Sequence, residues 1–161
     1  ANAMAGEFGH MTLDENGPPC CCGKRGCWER FASNSAAVDY YVSGSAASPG
    51  PSAPALRFED IMRLAEAGDR RAVETLERMA TFLGAGLATI VTGLAPQVIV
   101  VIGVVTSAWD RVGPIISQVL ERRALRETPT RIIATDHATQ PRLRGAVTLV
   151  VQQHFGVPNV A

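Results

Sequence analysis

All four cysteines of this 161-residue chain lie between positions 20 and 27, in the run C-C-C-G-K-R-G-C, with His10 ten residues ahead of the first. Residues 6–30 are rich in Gly, Pro and polar side chains and hold too few apolar groups for a core of their own. Ordering such a stretch costs about 1–2 kcal/mol of backbone entropy per residue, so something else must hold it. Cys20, Cys22 and Cys27 give C-x-C-x4-C, and with His10 they supply three thiolates and one imidazole, the donor set of a closed tetrahedral zinc site. Four protein ligands leave no position for water, so the predicted role of the zinc is structural. Gly23 and Gly26 have no Cβ and let the backbone turn between ligands. Cys21 is left out of the set: neighbours in an extended stretch point to opposite sides, so Cys20 and Cys22 converge while Cys21 turns away.

The competing readings are ordinary buried thiols or a disulfide. Adjacent cysteines disfavour simple local pairing. Residues 1–4, Ala-Asn-Ala-Met, show neither the charged nor the apolar region of an export signal and read as a tag or a start. The default compartment is then the reducing cytoplasm, where clustered cysteines hold metal more often than they pair. A zinc-ribbon nucleic-acid module fits badly, because only Lys24, Arg25 and Arg30 are basic here and no aromatic stacking platform accompanies them. Lys plus Arg and Asp plus Glu both number 15, so net charge makes no case for nucleic acid or an anionic membrane. No apolar run reaches membrane-spanning length.

The remainder reads as one domain of mixed elements. A helix is predicted from about Trp28 to Val42, with Phe31, Ala36 and Tyr40 buried. Residues 43–55, small and rich in Pro and Gly, read as a flexible linker. Phe58–Ala67 reads as a short helix ended by Gly68. Asp69 then caps a long helix whose apolar residues Val73, Leu76, Ala80, Leu83, Leu87, Ile90 and Leu94 form one seam. From Thr81 onward its faces are all apolar or small, which predicts burial on every side. Gly84 and Gly86 weaken the helix and predict close approach of another backbone. Pro96 ends it. Val98 to Val105, V-I-V-V-I-G-V-V, is β-branched without alternation and predicts a parallel strand covered on both faces. Thr106 or Ser107 caps a helix to about Leu125, with a kink at Pro114. R-I-I-A-T is a second strand, and Pro141–Phe155 a final amphipathic helix with Leu143, Val147, Val150 and Val151 inward. The fold class is α/β. Two strands make a poor sheet, so the chain reads as part of a larger fold. Its open apolar sheet edge predicts a homo-oligomer, by symmetric packing or exchange of elements.

The motifs G-E-F-G-H at residues 6–10 and C-C-C-G-K-R-G-C-W-E at residues 20–29 resemble the ROK family (repressors, open reading frames and sugar kinases), whose pattern is G-E-x-G-H followed by C-x-C-G-x-x-G-C-x-E. L-A-P-Q-V-I-V-V-I-G-V-V is similar to the strand before that family's glycine-rich nucleotide loop, and L-R-G-A-V-T-L-V-V-Q-Q-H-F-G-V-P to its C-terminal helix. The resemblance implies a partial ribonuclease H-like (actin-like ATPase) C-terminal lobe with few parallel strands, several helices and a zinc loop. Residues 5–30 would be the zinc and sugar loop and 31–161 one lobe. It implies that His10, Cys20, Cys22 and Cys27 bind zinc and that Glu7, His10 and Glu29 face a hexose or N-acetylhexosamine. A carboxylate suits two sugar hydroxyls, since hydrogen bonds to a charged group are the strong ones.

The family kinases' Asp-x-Gly phosphate loop and Asn-Asp pair are not found, and no catalytic residue is assigned. Where kinases carry three glycines, this chain reads Ile102-Gly103-Val104, leaving Gly103 as a faint nucleotide-binding candidate with bulky neighbours. ATP is not expected as a ligand, and this chain alone is not expected to be a kinase. P-R-L-R-G-A near the C-terminus is more like the regulators. The leading reading is therefore the sugar-sensing region of a ROK transcriptional regulator, reaching DNA only through a region outside this chain. The alternative is the C-terminal part of a ROK sugar kinase, a glucokinase or N-acylhexosamine kinase. His137 and His154 look isolated. Trp28 and Trp109 read as packing anchors, and Arg122, Arg123 and Arg126 as a solvated helix end.

Overall fold

The computed structural model describes residues 6–44, 56–124 and 130–156. The expected tag (1–4), most of the expected linker (43–55) and Arg126 lie outside them, as does the side chain of His137. The elements run α1 (Glu29–Ala32), α2 (Asn34–Ser43), α3 (Phe58–Glu66), α4 (Arg70–Leu94), β1 (Val98–Val101), α5 (Trp109–Arg123), β2 (Arg131–Ala134) and α6 (Pro141–Phe155), with short 3-10 turns at Phe8–His10, Val104–Ala108 and His137–Thr139.

The organising element is α4. Asp69 caps it, its Oδ1 accepting from the Ala72 N–H at 2.7 Å. The preceding helix α3 ends in a Schellman turn: Gly68, at φ +86°, donates to Ala65, and Asp69 donates to Leu64. Around α4 gather α1, α2, α3 and α5. Leu76, Met79 and Val91 of α4, Ile61 of α3 and Val112 and Ile116 of α5 are fully buried at the centre. Gly84 touches α5 so closely that a Cβ there would lie 2.9 Å from the Ile116 carbonyl oxygen, the close approach its composition predicted. Burial on every side holds for residues 84–88 only. Thr81, Thr89, Thr92, Gly93 and Leu94 are exposed.

Other expectations are corrected. The helix from 28 to 42 is two helices: Ser33 is extended (ψ 165°) and its Oγ accepts from the Ala36 N–H, so a strong N-cap restarts the chain inside the predicted helix. The run 98–105 is a strand only to Val101. Gly103, at φ +108°, breaks the ladder, and Thr106 donates its hydroxyl to the Gly103 carbonyl instead of capping α5. β1 pairs parallel with β2, Val98 against Arg131 and Val101 against Ala134, as the only sheet among the described residues. It is covered on one face. Ile99 and Ile132 pack on the core, whereas Val100 is 55 % exposed and Val98 and Ile133 are exposed beside it. Helix α6 has the expected limits but not the expected burial: Leu143 is 58 % exposed, and Val147, Val150 and Val151 are exposed as well. Its N-terminal end lies beside the turn after β1, and no described element packs along its length.

Candidate metal centre

The loop before α1 is folded by its own backbone. Leu13 donates to Gly26 at 2.8 Å, Gly26 to Pro18 at 2.8 Å, and Cys20 to Lys24 at 2.8 Å. Gly26 is obligatory at φ +62°: a Cβ there would lie 1.6 Å from the Asp14 carbonyl oxygen. These bonds bring three separate stretches together: the turn Phe8–His10, the knuckle Cys20–Lys24, and Cys27 at the head of α1.

His10, Cys20, Cys22 and Cys27 converge, with their donor atoms all within 4.8 Å of one another. His10 Nδ1 lies 3.5 Å from Cys20 Sγ, and Cys22 Sγ lies 3.5 Å from Cys27 Sγ. A tetrahedral ion with bonds of about 2.3 Å to sulfur and about 2.0 Å to nitrogen would separate its donors by about 3.5–3.8 Å. A disulfide would need about 2.05 Å, and all four cysteines are free. The donor set and its spacing therefore fit a closed zinc site, and a cation of that kind would serve to hold the three stretches together.

The route to this convergence differs from the predicted alternation. Cys20 to Gly23 form a tight turn, closed by the Gly23 N–H on the Cys20 carbonyl at 3.1 Å with Gly23 at φ +86°. Cys21 sits at its tip, exposed, 4.0 Å from Cys20 Sγ and 3.8 Å from Glu29 Oε1. With His10 and Glu29 it makes a second possible donor group, which strand alternation hid. A Gly one position after the last knuckle cysteine was the available signal for a turn.

The thiols are poised unequally. The Cys22 N–H on the Cys20 sulfur favours its thiolate, but donation to Glu29 and burial outweigh it, and the Cys20 thiol is pushed far above the usual range. The Lys24 backbone N–H on Cys22 holds that thiol below its usual value. Burial pushes Cys27 up.

Of the three expected sugar residues, the structure joins two. Glu29 Oε1 is 2.9 Å from Cys20 Sγ, which donates to it, and 3.3 Å from His10 Nδ1. Glu7 stands exposed just before the 3-10 turn, and among the described contacts its carboxylate has no partner. Trp28, between Cys27 and Glu29, ties the loop to the core: its indole N–H donates to the Phe82 carbonyl at 2.8 Å and its ring lies over Gly86. Phe31 stacks on Phe82 at 4.7 Å. Gly103 lies elsewhere, in an open cleft of about 680 Å³ lined by Ile102, Val104, Gln140, Pro141 and Leu143, with Asn34 at its rim. Trp109 packs on the core, His154 bonds back to the Val150 carbonyl, and Arg122 and Arg123 are exposed. Among the described residues no helix is long and apolar enough to cross a membrane.

The model of the ROK family matches residues 1–153. The chain is 36 % identical over 99 residues to the xylose repressor of Bacillus subtilis, covering 62 % of this chain and 24 % of the repressor. It is 34 % identical over 132 residues to a glucokinase of Halalkalibacterium halodurans, covering 77 % of this chain and 40 % of the glucokinase. Among solved structures, a ROK family transcriptional regulator, a homologue of the Escherichia coli MLC protein, superposes with a TM-score of 0.71 at 27 % identity, over 86 % of this chain and 36 % of that one. The chain thus spans a quarter to two fifths of the length of these relatives.

Proposed function

The chain belongs to the ROK family, and from that premise we propose that it is the sugar-sensing region of a transcriptional regulator, ordered by a structural zinc ion on His10, Cys20, Cys22 and Cys27. The observation that carries this reading is the convergence of those four donors with Glu29 set against them. Glu29 Oε1 lies 2.9 Å from the Cys20 sulfur and 3.3 Å from His10 Nδ1. With Cys20 as a thiolate ligand and Nδ1 of His10 as a lone-pair donor to an ion, neither would donate to that carboxylate. Glu29 then needs other donors, and paired hydroxyls of a hexose or N-acetylhexosamine supply them. Nε2 of His10 keeps its proton and offers a donor beside it. Glu7, in a short turn ending at His10, would complete the set.

The regulator reading is favoured over the kinase reading by the cleft at Gly103. Ile102 and Val104 line it where a phosphate would need bare backbone, and no carboxylate is among its described lining residues. The kinase reading rests on the glucokinase relative. DNA would be reached only through a part of the protein outside this chain, and cytoplasmic residence is proposed with the zinc thiolates. The uncovered faces of β1 and α6 support self-association.

Zinc analysis and calorimetry test this reading together. The expected result is one zinc per chain, lost in Cys27→Ser. Hexose binding should be detectable in the full-length protein and abolished by Glu29→Gln or by chelation. Zinc-free protein that keeps its fold and its sugar affinity would overturn it. An upstream winged helix supports the regulator; an upstream phosphate loop with an Asn-Asp pair supports the kinase.

A further inference from the structure

Three of the four thiols are accounted for by the metal centre, and Cys21 is not. It stands exposed at the tip of the knuckle turn, with the sulfur of Cys20 4.0 Å away. Cys27, by contrast, is fully buried. We propose that Cys21 is an oxidation site: a peroxide-reactive thiol that captures Cys20 as a disulfide and thereby opens the metal centre. The proposal rests on the zinc reading above for its consequence, and on the Cys20–Cys21 geometry for its chemistry.

The geometry supports each step. An exposed sulfur that no metal holds is the one a small oxidant meets first, since susceptibility follows access. Hydrogen peroxide converts the Cys21 thiol to a sulfenic acid: an S–O bond forms, the O–O bond breaks, sulfur is oxidised by two electrons and one water leaves. The Cys20 sulfur then attacks the Cys21 sulfur. An S–S bond forms, the S–O bond breaks, and the departing hydroxide takes the thiol proton, or one from solvent if Cys20 was on zinc, and leaves as water. In sum two thiols and one peroxide give one disulfide and two waters. Cys20 can no longer bind a metal, and His10, Cys22 and Cys27 remain as an incomplete set.

The product is built to be reversible. Adjacent Cα atoms lie about 3.8 Å apart across a trans peptide. Ordinary disulfides span about 4.4–6.8 Å, so a bond between neighbours is strained and readily reduced. Glu29 is drawn in as well, because its carboxylate lies 2.9 Å from the Cys20 sulfur, which moves when the disulfide forms. Oxidation at Cys21 would therefore disturb both the ion and the carboxylate beside it.

The experiment uses the full chain and its Cys21→Ser and Cys21→Ala variants. Zinc is quantified first, then hydrogen peroxide is added while zinc release is followed with a chromophoric chelator and free thiols are counted. Tryptic cleavage after Lys24 places Cys20, Cys21 and Cys22 in one peptide and Cys27 in another, so mass mapping separates local from long-range bonds, and alkylating the remaining free thiols before fragmenting the first peptide shows which of its three cysteines is unpaired. The expected result is release of zinc with loss of two thiols, a Cys20–Cys21 bond within the first peptide, and recovery on adding a dithiol and zinc. Both variants should hold zinc equally and release it about tenfold more slowly, in line with reactivity following the exposed thiol. Release at the parental rate from the variants, or a bond that excludes Cys21, overturns the proposal. Absence of zinc at the outset overturns the zinc reading alone. The peptide map then decides the thiol chemistry, a Cys20–Cys21 bond supporting it and any other bond overturning it.

Discussion

Gly86→Ala is expected to destabilise the protein, although alanine is the better helix former. A Cβ on Gly86 would lie 1.9 Å from Cε2 and 2.3 Å from Cδ2 and Nε1 of Trp28. Carbon atoms rest at about 3.5–4.0 Å, so the ring has to retreat by roughly 1.5–2 Å. That displacement breaks the 2.8 Å bond from the indole N–H to the Phe82 carbonyl. Overpacking of this kind costs about 1–3 kcal/mol. A stranded polar pair costs about 1–3 kcal/mol more, toward the lower figure here because Trp28 is only half buried. Helix propensity returns about 1 kcal/mol. The net loss is about 1–3 kcal/mol, or a fall in Tm of roughly 2–12 °C for a domain of this size. Gly93→Ala is the control: it lies in the same helix with nothing within 4 Å of its Cβ position. It should gain up to about 1 kcal/mol. Urea unfolding followed by circular dichroism and by tryptophan fluorescence measures both. Gly86→Ala as stable as the parent, or Gly93→Ala equally destabilised, would refute the seating of Trp28 on α4.

Asp69→Ala should cost about 1 kcal/mol by removing the cap on Ala72, and Asp69→Asn should restore most of it in the same urea titrations. The Asp60 carboxyl is held below its ordinary value of 3.8, first by the Arg57 backbone N–H at the start of α3 and then by Arg63. A folded value below the unfolded one means its contribution is complete above the ordinary value and is lost as pH falls through the folded one. Acidification should accordingly erode the parent more steeply than Asp60→Asn over that interval; parallel urea midpoints across the pH series would show that the cap contributes nothing. Val147→Asp with Val150→Asp, both on the exposed face of α6, should convert an associating protein to a monomer in sizing with light scattering. A parent that is already monomeric counts against self-association.

How much of this was legible in the sequence depended on whether the deciding information was local. Asp69, Gly68 and the apolar seam of α4 are read within a few residues, and their helices appear where expected. Gly84 and Gly86 were legible as sites of close approach, though only the structure supplies the neighbours, α5 for one and Trp28 for the other. The break at Ser33 was missed because a hydrophobic pattern ran through it, yet a cap hydrogen bond outweighed the pattern. Burial of β1 and α6 was misread for a different reason. A β-branched run reports what a surface could bury, and it cannot report whether the covering element is part of the same chain. At the candidate site the grouping of His10, Cys20, Cys22 and Cys27 was legible from spacing, whereas the place of Cys21 was not, because a turn and a strand order neighbouring side chains differently.

The arrangement of the loop argues that a metal ion on the four donors and the core would support each other. Its internal bonds are isolated bridges, Thr12 against Cys27 and Pro19 against Arg25, and a few turn bonds, too few to outweigh the entropy of ordering some twenty residues at about 1 kcal/mol each. Two anchors reach the core, Trp28 on Phe82 and Phe31 on the Phe82 ring, and both sit just after Cys27. Upstream of Cys27, His10 and the knuckle are held beside α1 by a few backbone bonds, among them the Trp28 N–H on the Met11 carbonyl at 2.7 Å, which an ion on the four-donor cluster would reinforce. Metal loss should therefore loosen residues 6–26 while leaving α4 and its neighbours folded. An anchor mutation at Trp28 should act in the other direction, weakening metal retention from the core side. Hydrogen exchange of the apo protein separates the two: protection lost across the loop alone fits this coupling, and protection lost throughout would mean that the ion holds the whole domain together.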